Sequence, residues 1–240
     1  FSGNIYFALG IGLIPLFHYW SLGVEEQYYL WYPWVVKYGK KNILLIVVAL
    51  CIGWFALKCG SYILLGKGVV YRMFATTRFD CMMIGAVGAI LYYRKATWFI
   101  SLCSNKVVII LSWVLFFASG IYAQYIPAPI RAEYISIISL MVIMAGLLRK
   151  PILENRIMNY LGKISYGIYV IHPILIFVGS IIIKSQNWLT NSQGWGYCVV
   201  FAGTTALTIL LASLSYKYLE MPFLRMKDKF SVVKSTNERS

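Results

Sequence analysis

Long, nearly uncharged apolar runs recur along the chain, at about residues 20–37, 43–58, 78–93, 107–123, 133–148, 164–183 and 196–218. A hydrocarbon core of about 30 Å is crossed by roughly 20 apolar residues in a helix. Backbone polar groups have no water to bond inside a bilayer, so only helices or closed barrels span it. These runs are continuously apolar and do not alternate, which excludes a barrel. The expected fold is therefore all-α, a polytopic membrane bundle of about seven transmembrane helices. Composition agrees: 60% of the residues are hydrophobic and 12% charged, against about 45–50% and 25% in soluble domains. A soluble enzyme, a disordered chain and a disulfide scaffold are excluded.

The net charge of +14 would suggest nucleic acid in a soluble protein. Here the basic residues fall in the gaps between apolar runs, and the gaps alternate in charge. One set, around Lys40, Lys95, Arg149–Lys163 and Lys217 onward, holds 16 Lys and Arg; the other holds six, including Lys58, Lys67, Arg72 and Arg78. Positive loops face the cytoplasm. The C-terminus is expected inside and residue 1 outside, with no nucleic-acid partner. Residues 1–17, with three Gly and a Pro, read as an outer loop, and 225–240 as a polar, basic cytoplasmic tail. Between them lies a single membrane domain. The five cysteines are scattered, without a CxxC pair, and give neither a metal site nor a disulfide framework.

Charges within the runs each need a reason, since one at mid-membrane costs about 2.5–3.5 kcal/mol. His18-Tyr19-Trp20-Ser21-Leu22-Gly23-Val24-Glu25-Glu26 opens the first run. Adjacent helical residues point about 100° apart, so Glu25 shares a face with Ser21 and Tyr28, and Glu26 with Leu22 and Tyr29. Two readings stay open: one carboxylate acts chemically, or both sit at the interface. The third run opens with Arg78-Phe79-Asp80. Two residues apart on a helix, Arg78 and Asp80 cannot face each other, so each wants a partner on another helix. Gly85 and Ala89, with Gly88 beside them, should let a neighbouring helix approach closely. His172 precedes Pro173, which frees a backbone carbonyl; a helix–helix hydrogen bond suits it better than a base role. Glu220-Met221-Pro222 reads as a helix end with a local salt bridge. No phosphate loop, GxSxG or HExxH is present.

The stretch from His18 to Leu30, with Trp31 and Pro33 after it, resembles the signature of acyltransferase family 3, the O-antigen acetylase type of membrane O-acyltransferase. Thr77-Arg78-Phe79-Asp80, then Leu161-Gly162-Lys163-Ile164-Ser165-Tyr166-Gly167 with His172-Pro173, then Tyr218-Leu219-Glu220-Met221-Pro222-Phe223 resemble further family elements in the same order. The resemblance implies a ten-helix fold of which this chain supplies the last seven.

It further implies transfer of an acyl group, usually acetyl, from cytoplasmic acetyl-CoA to a hydroxyl of an extracytoplasmic glycan. Coenzyme A would then be a substrate, with no bound cofactor and no metal, and the protein would lie in the bacterial inner membrane. The implied catalytic residues are Glu25, Glu26 and Ser21; the implied substrate-binding residues are Arg78, Asp80 and His18. The family's catalytic His is expected before residue 1, and the 240 residues alone are expected to be inactive. A transporter or flippase of lipid-linked saccharide would also carry buried charges and a broken helix, and is the rival reading.

Overall fold

A computed structural model describes residues 19–149, 155–185 and 195–230 of the chain. The outer-loop reading of 1–17 and the binding role of His18 lie outside these residues, as does the tail beyond Phe230. Among the described residues no strand forms. Helices long and apolar enough to cross a membrane begin with one stretch, Trp20–Leu65, of 46 residues. At about 1.5 Å per residue a straight helix of that length would be more than twice as long as the roughly 30 Å hydrocarbon core. It is instead two helices, α1 (Trp20–Gly39) and α2 (Ile43–Leu65). The short turn Lys40–Asn42 separates them, with Lys40 at φ 42°. Trp31, Tyr32 and Val35 of α1 pack in one apolar cluster with Ile43, Val47 and Cys51 of α2, so the pair forms a hairpin.

Then follow α3 (Val69–Thr77), α4 (Phe79–Tyr93), a short α5 (Thr97–Ser104), α6 (Lys106–Tyr122) and α7 (Ala128–Leu148). Residues 19–149 make one compact unit. A second consists of α8 (Arg156–Ser185), α9 (Trp195–Ser215), a π-helical turn at Tyr216–Glu220, and α10 (Met221–Phe230).

The first unit is apolar outside and charged within. Ile63 and Leu64 are about four-fifths exposed, at 78% and 82%, while Lys58 and Asp80 are 3% and 0% exposed. That is the arrangement a lipid-facing bundle requires, because intramembrane charges face the bundle interior. Two side chains tie the basic turns together at one end. Arg94 donates to the Lys41 carbonyl at 2.9 Å, and Arg149 to the Ser104 carbonyl at 2.8 Å. Within this unit, the turns around Lys41, Arg94 and Arg149, grouped by charge in the sequence, thus meet in space.

Helix association in lipid depends on close packing and polar contacts more than on hydrophobicity. Gly88 of α4 supplies the close packing in the first unit: a Cβ there would stand 2.4 Å from Leu140 Cδ1 of α7. Gly85 was expected to make such a contact, but a Cβ there would meet nothing within 4 Å. The reason is rotation: three residues along the helix, Gly88 turns to α7 while Gly85 turns away. In the second unit Gly167 of α8 brings the backbone of Ala212 in α9 to 3.2 Å from its would-be Cβ.

Two expectations at chain turns need correction. Lys58 does not end a span at the outer loop, because α2 runs on for seven residues past it and its ammonium is buried. Nor does Glu220 end a helix: the π-helical turn continues into α10. Pro222 lacks the N–H an α-helix would use there. One Glu220 carboxylate oxygen is buried without a hydrogen bond among the described residues, and no ion pair to it is seen there.

Candidate active site

The site begins with a helix break. Thr76 and Thr77 close α3 by donating their hydroxyls back to the Arg72 and Met73 carbonyls, at 2.8 and 2.7 Å. Such bonds compete with helix continuation. The next residue, Arg78, takes the left-handed conformation at φ 47°, ψ 31°. Its N–H still reaches the Phe74 carbonyl at 3.4 Å, capping α3, and α4 starts immediately after. Left-handed backbone costs a residue with a Cβ about 1–2 kcal/mol, so the surroundings must hold it there.

Asp80 supplies part of that hold. In the first turn of α4, its Oδ1 accepts the Cys81 N–H at 2.9 Å, satisfying a donor that a helix start leaves free. Its Oδ2 accepts from Lys58 Nζ of α2 at 2.7 Å. Lys58 also pairs with Glu133 of α7. Three helices are therefore joined by one ammonium between two carboxylates. The expectation that Asp80 needs a partner on another helix is met by Lys58. Neither Lys58 nor Glu133 stood out in the sequence, since one reads as a loop charge and the other as the start of a run. The available signal was a lone Lys within the apolar stretch Ile43–Leu65.

Asp80, Cys81 and Glu133 lie close enough together to ligate a metal ion. The Lys58 ammonium already stands between the two carboxylates, so the donor set fits an ion pair better than a metal.

Aromatic rings wall the break on the other side. Phe79 packs against Trp31 of α1 at 5.5 Å and Trp54 of α2 at 5.0 Å. The Arg78 guanidinium lies 4.8 Å from the ring centre of Trp20, at the start of α1, a cation–π distance. This contact brings the Arg78 element to the element that carries Ser21, Glu25 and Glu26. The structure does not place those two carboxylates beside Lys58 and Asp80. Glu25 and Glu26 are exposed on the surface of α1, and Ser21 is half-buried.

Next to the ion cluster opens a cleft of about 250 Å³, lined by Lys58, Arg78, Cys81, Arg131 and Ser136 among others. Arg131 donates through Nε and one terminal nitrogen to the Ile126 carbonyl, at 3.2 and 2.9 Å, and to the Gln124 carbonyl at 3.2 Å. The cleft is cationic at its wall, which Lys58, Arg78 and Arg131 line without a carboxylate among them.

His172 belongs to the second unit. Its Nδ1 lies 2.9 Å from the Ile168 carbonyl one turn earlier in α8, so that nitrogen carries the proton. This bond lies within its own helix.

Comparison with known proteins adds the remaining observations. A family model described as an acyltransferase domain matches residues 2–213. The chain is 26% identical to an O-acetyltransferase OatA of Staphylococcus aureus, covering 92% of this chain and 38% of the relative. It is 25% identical to a peptidoglycan O-acetyltransferase OatA of Listeria monocytogenes, covering 87% of this chain and 35% of the relative. The chain thus spans less than two-fifths of the length of these relatives. No solved structure matches it.

Proposed function

Because the chain belongs to the acyltransferase family 3, we propose that it forms part of a membrane O-acyltransferase that moves acetyl from cytoplasmic acetyl-CoA to a hydroxyl of an extracytoplasmic glycan. The observation that carries this reading is the family match across almost the whole chain, together with a buried charge cluster beside an open cleft. The ion cluster itself joins helices, but a purely structural bundle has no use for the cationic cleft that Arg78 and Arg131 line beside it. The relatives' names supply the acetyl group and, for one of them, a glycan. By the positive-inside rule the basic end faces the cytoplasm, with the C-terminus inside, and the acyltransferase reading implies the bacterial inner membrane. Arg78, Asp80 and the cleft then lie toward the outer face, where the acceptor arrives.

The chemistry asks for a base to remove the acceptor hydroxyl proton as its oxygen attacks the acyl carbonyl. Donors must stabilise the oxyanion that forms before the thiolate leaves. Glu25 or Glu26 orients and charge-stabilises the base, with Ser21 alongside. Arg78 supplies charge at the cleft, and Asp80 holds the helix break that presents it. His18, two residues before Trp20, is assigned to acceptor binding. Acetyl-CoA is a substrate, with no resident cofactor.

The test uses the full-length protein in membrane vesicles with radiolabelled acetyl-CoA and purified cell-wall glycan. Label should pass to the glycan, and Glu25→Gln or Glu26→Gln should abolish transfer while the protein still inserts. A transporter or flippase would move saccharide without labelling it. Absence of label on any glycan, or full transfer by both variants, would overturn the assignment.

A further inference from the structure

Two guanidinium groups and an ammonium line a single small cleft, and their partners are unequal. Lys58 is neutralised by Asp80 and Glu133. Arg131 spends Nε and one terminal nitrogen on the Gln124 and Ile126 carbonyls, none of which carries a charge. Arg78 lies over Trp20, and among the described residues its side chain makes no hydrogen bond or ion pair. Three cations against two carboxylates leave one net positive charge at the cleft. Two like charges facing one cleft repel, and an anion between them relieves that repulsion. Guanidinium forks suit carboxylate and phosphate oxygens in particular. Ser136, on the same wall, adds a hydroxyl able to donate.

Size narrows the ligand. At about 250 Å³ the cleft is smaller than the roughly 300–1,000 Å³ of pockets that enclose drug-sized molecules. It takes one sugar ring or one anionic group, not a whole nucleotide. We propose that the cleft between α2, α3, α4 and α7 is an anion subsite, in which Arg78, Arg131 and Ser136 bind the carboxylate or phosphate of an acidic sugar. Its role as part of the acceptor site rests on the acyltransferase reading; the anion subsite itself does not.

Binding is measured by calorimetry on the full-length protein in detergent micelles, without acyl donor, at constant ionic strength set with sodium chloride. The probes are glucuronate, glucose 1-phosphate and glucose. At least one acid should bind roughly tenfold or more tightly than glucose, the worth of one charge-assisted hydrogen bond. Arg78→Gln should remove that preference. Arg78→Gln disturbs no side-chain hydrogen bond of the described fold, and Ser136→Ala serves as a second variant that should weaken the same acid. Glucuronate alone would identify a carboxylate ligand, and glucose 1-phosphate alone a phosphate; either supports the subsite. Equal binding of acid and neutral sugar, or an acid preference unchanged in both variants, would overturn it. Glycan acetylation without any acid preference would remove the subsite and leave the acyltransferase reading standing. Acid binding without acetyl transfer would do the reverse.

Discussion

Replacing Lys58 by Met should cost the fold several kcal/mol while leaving side-chain size nearly unchanged. The ammonium is 3% exposed and stands 2.7 Å from Asp80 Oδ2. At that separation and an effective dielectric of about 20, one pair is worth about 6 kcal/mol of attraction. The whole of it is not lost, because a buried carboxylate without its partner takes up a proton. Breaking a buried pair by removing one partner costs about 3–5 kcal/mol in practice, and here two carboxylates lose the same partner. Asp80 keeps its bond from the Cys81 N–H, which limits the damage at the start of α4. The companion variant, Lys58→Met with Asp80→Asn and Glu133→Gln, removes the stranded charges and should recover much of the loss. Residues in one network are not additive, so the comparison between single and triple variants is the measurement. Unfolding in mixed micelles of rising sodium dodecyl sulfate content, followed by circular dichroism, gives both values. A Lys58→Met protein within about 1 kcal/mol of the unaltered one would refute the reasoning, given the 3–5 expected. So would a triple variant no more stable than the single.

Arg78→Lys should lose most glycan acetylation, nearly as much as Arg78→Ala, since an ammonium lacks the planar fork; full activity in Lys would reduce Arg78 to a point charge. Gly88→Val should destabilise by about 1–3 kcal/mol by overpacking, because even its Cβ would meet Leu140. Gly85→Ala, with open space, should be neutral or gain up to about 1 kcal/mol of helix propensity; equal effects at both positions, read by the same unfolding assay, would show that α4 is rotated otherwise. Burial pushes the Cys103 thiol up, so little thiolate forms at neutral pH, and its side chain is 1% exposed. Maleimide should therefore label Cys103 only after denaturation, as mass spectrometry would show; rapid labelling of the folded protein would contradict the packing. Single cysteines placed at Lys40, Lys95 and Lys229 should react from the cytoplasmic side, and one at Lys67 from the outside; the opposite pattern would invert the topology.

Membrane helices are read from local chemistry, and that is why most of this fold is legible without coordinates. An apolar run such as Ile43–Leu57 can bury its backbone only as a helix in lipid, whatever its neighbours do. The family elements around Glu25, Arg78 and Glu220 are local strings too. The sequence also shows that Arg78 and Asp80 cannot pair with each other, since a two-residue spacing points them apart. What it does not hold is the partner. Lys58 reads as a loop charge because its cost in an apolar run looks prohibitive; only Asp80 and Glu133, brought from two other helices, make its burial affordable. Likewise Gly85 and Gly88 look equivalent until the rotation of α4 against α7 puts Leu140 over one of them. The left-handed turn at Arg78 also lies beyond the sequence, because an Arg ordinarily avoids it and the ion cluster two residues later holds it in place. Hydropathy is a property of each segment, but charge compensation is a property of pairs separated by 22 residues or more, and only the packed bundle decides which pairs meet.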